Sequence, residues 1–284
     1  GREKEALKAA THAVALDCGG AQLIILKADL LAESGDVMAA ETSLEKAIEK
    51  HPLDAELRSI VASRRLAEGR IEVAQSLLDG TPPAIDHPEL HIVEGRLHLA
   101  RADRQRDGTG ETDQLLLGSA IQSFQAALQL NRELGVAWLG LARTQRLMKN
   151  LDDASESLTR AKRLLGDTDS SCSIEAALLA IDLDDVHAAT RYIDAAEIQG
   201  RGPTIAYVRG NIAIKSGDPE RAIAMYSDTL NENPKHIRAR LNRISCYLAV
   251  DKAVEAKEDA DILLSLAPEL AVAVFARADA QSRL

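Results

Sequence analysis

Alanine recurs at a fixed interval along this chain. Ala6, Ala40 and Ala74 stand 34 residues apart, and Ala120, Ala154, Ala188, Ala222 and Ala256 continue the series after one step of 46, which is 34 plus an insertion of 12. A period of this length marks a stacked array. Each unit is one supersecondary element that buries its apolar face only against its neighbours.

The residues around each alanine identify the element. Four positions on stand Ala10, Leu44, Leu78, Phe124, Leu158, Tyr192, Tyr226 and Ala260. Three further on stand Ala13, Ala47, Thr81, Ala127, Ala161, Ala195, Thr229 and Leu263. Steps of four and three put these side chains on one face of a helix. Twelve positions before the alanine lies a second small residue: Ala28, Ala62, Ala142, Ala176 and Gly210, with Gly95 as the equivalent in the interrupted unit and Ile244 breaking the rule in the last. The pattern predicts two helices that approach closely at the small residues, with the large four-on residue filling the gap. Turn signals fall between the two helices at Gly35-Asp36, Gly69-Arg70, Ala102-Asp103, Asn150, Asp184 and Gly217-Asp218. In Gly217-Asp218-Pro219 the glycine ends one helix, the aspartate caps the next, and the proline takes its first turn. Pro52, Pro234 and Pro268 close three of the second helices.

Composition excludes the competing classes. Aromatics are 2% of the chain, too few for a β-sandwich or barrel. The net charge of −10 argues against a general nucleic-acid binder. A hydrophobic content of 46% argues against disorder. Nothing approaches eighteen uncharged apolar residues, so no membrane-inserted segment is expected. Cys18, Cys172 and Cys246 are odd in number and lack a C-x-x-C, so neither a disulfide framework nor a zinc site is suggested. Cys172 and Cys246 sit in apolar helical stretches and read as buried thiols.

A 34-residue helix–turn–helix with these slots resembles the tetratricopeptide repeat family. The likeness is clearest in Trp138-x2-Leu141-Ala142, in Ala154-x3-Leu158-x2-Ala161, and in Gly210, Ala222-x3-Tyr226 and Pro234. It implies an all-α fold, a right-handed superhelical solenoid. The repeats read as a partial unit over 1–20, full units over 21–54, 55–87, 88–134 (with the insertion near 104–116), 135–168, 169–202, 203–236 and 237–270, and a partial unit over 271–284. Two departures stand out. The second unit closes early at Gly80-Thr81-Pro82-Pro83. Lys27, Glu94, Glu175, Arg209 and Arg243 put a charge just before the small first-helix residue, where stems are expected to pack while heads reach water. Ala271, Val274, Phe275 and Ala278 would leave an apolar edge open at the last helix, and the expectation is a fragment of a longer array.

Several local patterns fail as chemical sites. Gly108-Thr109-Gly110-Glu111-Thr112 lacks the lysine of a phosphate loop and follows no strand. Asp107, Glu111 and Asp113 are too few at loop spacing for calcium. The insertion reads instead as a flexible hydrophilic loop that caps the next helix through Thr112 and is available to a partner. His91, Glu94 and His98 share a helical face, but two imidazoles seven residues apart are a long reach for one ion. No catalytic residues, cofactor or metal are expected.

The resemblance implies a concave groove lined by first helices. In this register its floor is Ile25, Ile60, Ile92, Leu139, Leu241 and Leu248. Asp29, Glu56 and Glu89 punctuate the early units. Arg96, Arg143, Arg146, Tyr207, Asn211, Arg238 and Asn242 punctuate the later ones and are the candidate partner-binding residues. Arginine and asparagine suit carboxylates and extended peptide backbone, so the expected partner is a protein or extended peptide with acidic groups. Asn211 and Asn242 match the two asparagines of the clamp with which some family members hold acidic chaperone tails. Tyr207, Val272 and Ala276 stand where that clamp needs cations, which argues against it. The expected function is a non-catalytic interaction scaffold. A finer likeness, carried by Leu26–Asp36 and Ala260–Pro268, is to bacterial envelope arrays of exopolysaccharide export and the PEP-CTERM system, which favours the periplasm. The alternatives are a cytoplasmic adaptor that binds a peptide or transcription factor, and a spacer whose groove stays empty.

Overall fold

The computed structural model describes residues 2–15, 20–82 and 86–284. Among the described residues there are sixteen helices and no strand. They are α1 (Arg2–Ala15), α2 (Gly20–Glu33), α3 (Val37–Lys50), α4 (Ala55–Ala67), α5 (Ile71–Asp79), α6 (Pro88–Thr109), α7 (Gln114–Leu130), α8 (Gly135–Leu147), α9 (Leu151–Leu165), α10 (Ser170–Asp182), α11 (Val186–Gln199), α12 (Pro203–Lys215), α13 (Pro219–Glu232), α14 (Ile237–Ala249), α15 (Ala253–Leu266) and α16 (Ala271–Ser282). Each even-numbered helix from α2 to α14 pairs with the helix that follows it. Successive even-numbered helices also touch one another, as α4 does α6 and α10 does α12. That crowding places them on the inner side of a curved solenoid.

The turns follow from local chemistry. Before every second-helix cap from α3 to α15 except that of α7, the residue takes a left-handed backbone, with φ of 90° at Gly35 and 74° at Gly69 and Gly217. Lys149, Asp184 and Asp251 adopt the same conformation at φ of 65°, 60° and 61° without glycine. Each costs about 1–2 kcal/mol that the packing on either side must offset. The next residue is the cap. Asp36 accepts from the Ala39 amide at 3.0 Å, and Asp218 from Arg221 at 3.0 Å. In the second unit α5 stops at Asp79, and Arg58 of α4 occupies the space beside Gly80, donating to the Leu77 and Pro52 carbonyls at 2.9 and 3.2 Å.

The small-against-large slots are tight. A Cβ added to Gly95 would lie 2.8 Å from the Phe124 ring, and one added to Gly210 would lie 2.4 Å from the Tyr226 ring. Phe124 and Tyr226 are fully buried. The core is therefore a row of local clusters, one per helix pair, rather than a single centre.

One unit departs from the sequence register. Between α9 and α10 the turn carries an extra residue, and everything from Asp169 to the end of α11 is displaced by one. The caps show it: Ala154 lies four past cap Asn150, and the residue four past cap Asp185 is Ala189, not Ala188. Ala189, Ile193 and Ala196 are fully buried, while Tyr192 is half-buried and Ala195 is exposed. The first-helix slot is likewise Ala177 rather than Ala176. Ala189→Leu is thus expected to overpack and destabilise by about 1–3 kcal/mol. Ala195→Leu should change stability by less than about 0.5 kcal/mol. Denaturant titration of both variants checks this, and the opposite order would restore the 34-residue register here.

The insertion is the larger correction. It is not a flexible loop over 104–116, and Ala102-Asp103 is not a turn. Relative to the 13 residues of α4 and the 14 of α3, α6 has 22 residues and α7 has 17, so the insertion is spent as helix. Only 110–113 connects the two. Arg101, Arg104, Gln105 and Arg106 are good helix formers, and Arg106 pairs with Asp103 one turn back. The helix ends at Gly110, whose φ is 84°. The cap of α7 is Asp113, accepting from the Leu115 amide at 2.8 Å, rather than Thr112.

Candidate functional site

The inner helices enclose a cavity of about 790 Å³ that runs from α6 across α8, α10 and α12 to the start of α14. Its apolar floor includes Leu139, Ile174 and Leu178. Ile92, expected on that floor, is buried at 2% exposure in the cluster around Phe124 instead. Six of the seven residues singled out in the sequence line this one cavity: Arg96, Arg143, Arg146, Tyr207, Asn211 and Arg238. Asn242 stands behind the wall.

The six are not equivalent. Arg146 reaches across from α8 to α10, donating to Glu175 and, at 3.1 Å, to Asp182. Burial opposes its charge, but the two carboxylates outweigh that and hold its pKa above the usual arginine value. Arg143 donates to Asp103 at 2.6 Å. Arg238 lies 3.4 Å from the same carboxylate and 3.0 Å from Asp107. Arg96 reaches solvent inside the groove and makes no ion pair among the described residues. Desolvation by the surrounding walls pulls its pKa down, partly countered by Glu89. The candidate arginines are thus not a row of equivalent charges. Three of the four arginines already hold acids of this chain, and Arg96 alone of the four is left to a ligand.

The polar end of the cavity is a closed network. The Tyr226 hydroxyl donates to Asn211 Oδ1 at 2.8 Å, and Asn242 Nδ2 donates to the same oxygen at 3.2 Å. Asn211 Oδ1, Asn242 Nδ2 and the Tyr226 hydroxyl thus bond one another, and burial pushes the Tyr226 pKa well up. Tyr207 stands in front of them, its ring 4.9 Å from His236 and 6.0 Å from Tyr226. His236 Nδ1 accepts from the Ala239 amide at 3.1 Å as the cap of α14, which needs the neutral ring. Desolvation, then Arg238, lowers its pKa.

Charges expected to reach water turn back on the protein. Glu94 accepts from Ser123 at 3.1 Å, Arg209 donates to Asp194 at 2.8 Å, and Arg243 donates to Asp259 at 2.7 Å. In the early groove Asp29 pairs with Arg64, and Glu56 accepts from Gln22 at 3.1 Å. His91 bonds Asp86 at 2.7 Å. Cys172 and Cys246 are buried thiols, pushed up by desolvation to about 12 and about 11, which leaves them unreactive. Cys18 lies outside the described residues. Among the described residues no helix is long and apolar enough to cross a membrane.

Comparison with known proteins agrees with this architecture. Residues 25–84 and 207–282 match the family model described as tetratricopeptide repeat. No curated protein sequence matches the chain. Among solved structures, a chain of the APC/C hetero-tetramer Cut9–Hcn1 superposes with a TM-score of 0.68 at 18% identity, covering 92% of this chain and 49% of that one. The present chain thus spans about half the length of that neighbour. A tetratricopeptide repeat protein from Parabacteroides merdae gives a TM-score of 0.63 at 15% identity, covering 92% of this chain and 98% of the other. The human IFIT1 dimer with m7Gppp-AAAA gives 0.62 at 15% identity, covering 99% and 69%. At these identities the likeness is one of fold. Residues 25–84 and 207–282 thus match the tetratricopeptide repeat family, and the whole chain has the paired-helix solenoid fold of that superfamily.

Proposed function

We propose that this protein is a non-catalytic scaffold that holds an extended segment of a partner protein in the cavity between α6 and α14. One observation carries the reading. The cavity combines an apolar floor with convergent hydrogen-bonding groups, the composition of a recognition site. Arg96 is presented there without an ion pair among the described residues, and the Tyr207 ring lines the same cavity. An extended segment fits because the cavity is lined by five inner helices, α6 to α14, and packed helices lie about 8–10 Å apart. The acidic preference rests on Arg96 and on what Arg143 and Arg238 hold. The likeness of Leu26–Asp36 and Ala260–Pro268 to envelope arrays supports a partner among bacterial export components.

The test is selection of peptides from a random display library against the whole chain. Selected peptides should bind Tyr207→Ala and Leu178→Glu at least tenfold more weakly than wild type. They should bind Ile198→Glu, an exposed position that does not line the cavity, unchanged. Peptides that tolerate both cavity variants would remove the cavity as the binding surface.

A further inference from the structure

The extension of α6 does something no ordinary repeat helix does. Past Ala102 it leaves its own repeat and crosses the groove. Asp103 bridges Arg143 of α8 and Arg238 of α14, the latter 135 residues further along the chain. Asp107, one helical turn on, faces the same Arg238 at 3.0 Å. The tip reaches the start of α16, where a Cβ on Gly110 would lie 3.5 Å from Leu270 and 3.9 Å from Val272. A short stretch of helix, net neutral but presenting the carboxylates of Asp103 and Asp107 to the arginines of the groove, thus sits where a partner segment would sit.

The contact is poorly satisfied. Seven buried side-chain polar atoms of the described residues lack a hydrogen-bond partner, and three of them meet here: Arg106 Nε, Asp107 Oδ1 and Arg238 Nε. Arg238 Nε is near Asp107 Oδ1, but neither is aligned for a hydrogen bond. Burial pushes the Asp107 carboxyl above the usual range and the Arg106 guanidinium below it. Arg146, a neighbour in the same cavity, donates to both of its acids. Orphaned buried polar atoms oppose the contact that buries them. Residues 103–109 are half-buried or exposed, and segments with few buried apolar contacts are the ones that open locally.

We propose that Asp103–Thr109 is a cis-acting latch. It occupies, from within the chain, the seats Arg143 and Arg238 that the groove offers to an acidic partner segment, and a partner binds by displacing it. The proposal rests on the cavity being the binding surface. It also names the chemistry of the partner: two carboxylates about one helical turn apart, the spacing of Asp103 and Asp107 themselves. Neighbours at this spacing on a helix are about 5–6 Å apart at Cβ. Arg96, on another part of the cavity wall and without an ion pair among the described residues, is free to take a third acceptor.

Asp103→Asn/Asp107→Asn in the whole chain tests it. The probe is a fluorescein-labelled, acetylated alanine-rich peptide with two aspartates four residues apart, read by anisotropy. Amide exchange over residues 104–112 is followed in parallel. Exchange should accelerate at least tenfold, the peptide should bind at least tenfold tighter than to wild type, and adding Arg143→Gln should abolish the gain. Faster exchange without tighter binding overturns the proposal, since the groove then offers no acid seats. Unchanged exchange also overturns it, since the extension is then a permanent strut. Should the double variant lose helicity, Arg238→Gln releases the latch from the opposite wall and must itself raise exchange over 104–112, and no rise counts against the latch. Library-selected peptides that lose affinity for Tyr207→Ala while the latch variants change nothing would leave the cavity standing and remove only the latch. Peptides indifferent to both would remove the cavity reading as well.

Discussion

Phe124→Ala is expected to lower stability by about 3–5 kcal/mol, the range for losing a buried aromatic ring. The ring is fully buried. It is gripped from two helices at once, because a Cβ on Gly95 of α6 would lie 2.8 Å from it and one on Gly140 of α8 would lie 2.4 Å from it. Two glycines leave nothing that could move in to fill the void. Because each repeat contacts only its neighbours, the loss cannot be shared along the array. Exchange should therefore rise first over α6–α9, ahead of global unfolding, and denaturant curves should lose two-state character. A loss below about 1 kcal/mol would mean that the close approach of α6, α7 and α8 is wrong. A double-mutant cycle sharpens the test. Gly140→Val clashes when Phe124 is present and should be partly rescued when Phe124 is alanine, a coupling expected only for residues in contact.

Arg146→Glu is the second large effect, and it separates two arginines that the sequence treats alike. The Arg146 side chain is only 11% exposed, against 8% for Glu175 and 19% for Asp182. Reversing it leaves Glu175 unpaired, leaves Asp182 only Lys149 at 2.8 Å, and adds a third carboxylate beside them. Breaking such a pair from one side costs about 3–5 kcal/mol. Arg143 is 45% exposed and meets only Asp103, so Arg143→Glu should cost less than about 1 kcal/mol in stability. Its consequence should fall on the groove and its latch. Denaturant midpoints of the two variants check the contrast. Equal midpoints would show that Arg146 is as free as the sequence suggested, and that the α8–α10 bridge does not hold.

The repeat was legible because it rests on local chemistry. The alanine and glycine slots, the large four-on residue and the Gly-Asp-Pro turn at 217–219 are all set by neighbours within one helix pair. The extra residue between α9 and α10 was not legible. Ala188 and Ala189 are adjacent alanines, as are Ala176 and Ala177, so a slip of one costs the pattern nothing. Asp169 and Asp185 as caps carry the signal that resolves it. The insertion was misread for a related reason. The register demanded a turn at Ala102-Asp103, whereas Arg104, Gln105 and Arg106 favour continuing the helix. The early break at Gly108-Thr109-Gly110 was the real stop. Six of the seven candidate polar residues share one cavity, since first-helix register predicts which side chains face inward, but of the six expected floor residues only Leu139 lines it. The partners of the polar residues were not legible. Glu175 lies 29 residues from Arg146, and Arg238 lies 135 from Asp103. Charge pairs closed by the superhelix have no signature in local sequence. For Arg146 and Arg143 the nearest usable signal was an acid about one repeat away; Arg238 had no such signal.

Where a bound segment lies along the array decides the account. A photo-crosslinking residue placed at Tyr207 and at Leu139, inside the cavity, should capture a library-selected peptide. The same residue at Met38 and at Ile198, exposed at 77% and 84% and remote from the cavity, should capture none. Crosslinks confined to Met38 or Ile198, with none at Tyr207 or Leu139, would contradict the concave cavity as the surface with which this protein binds.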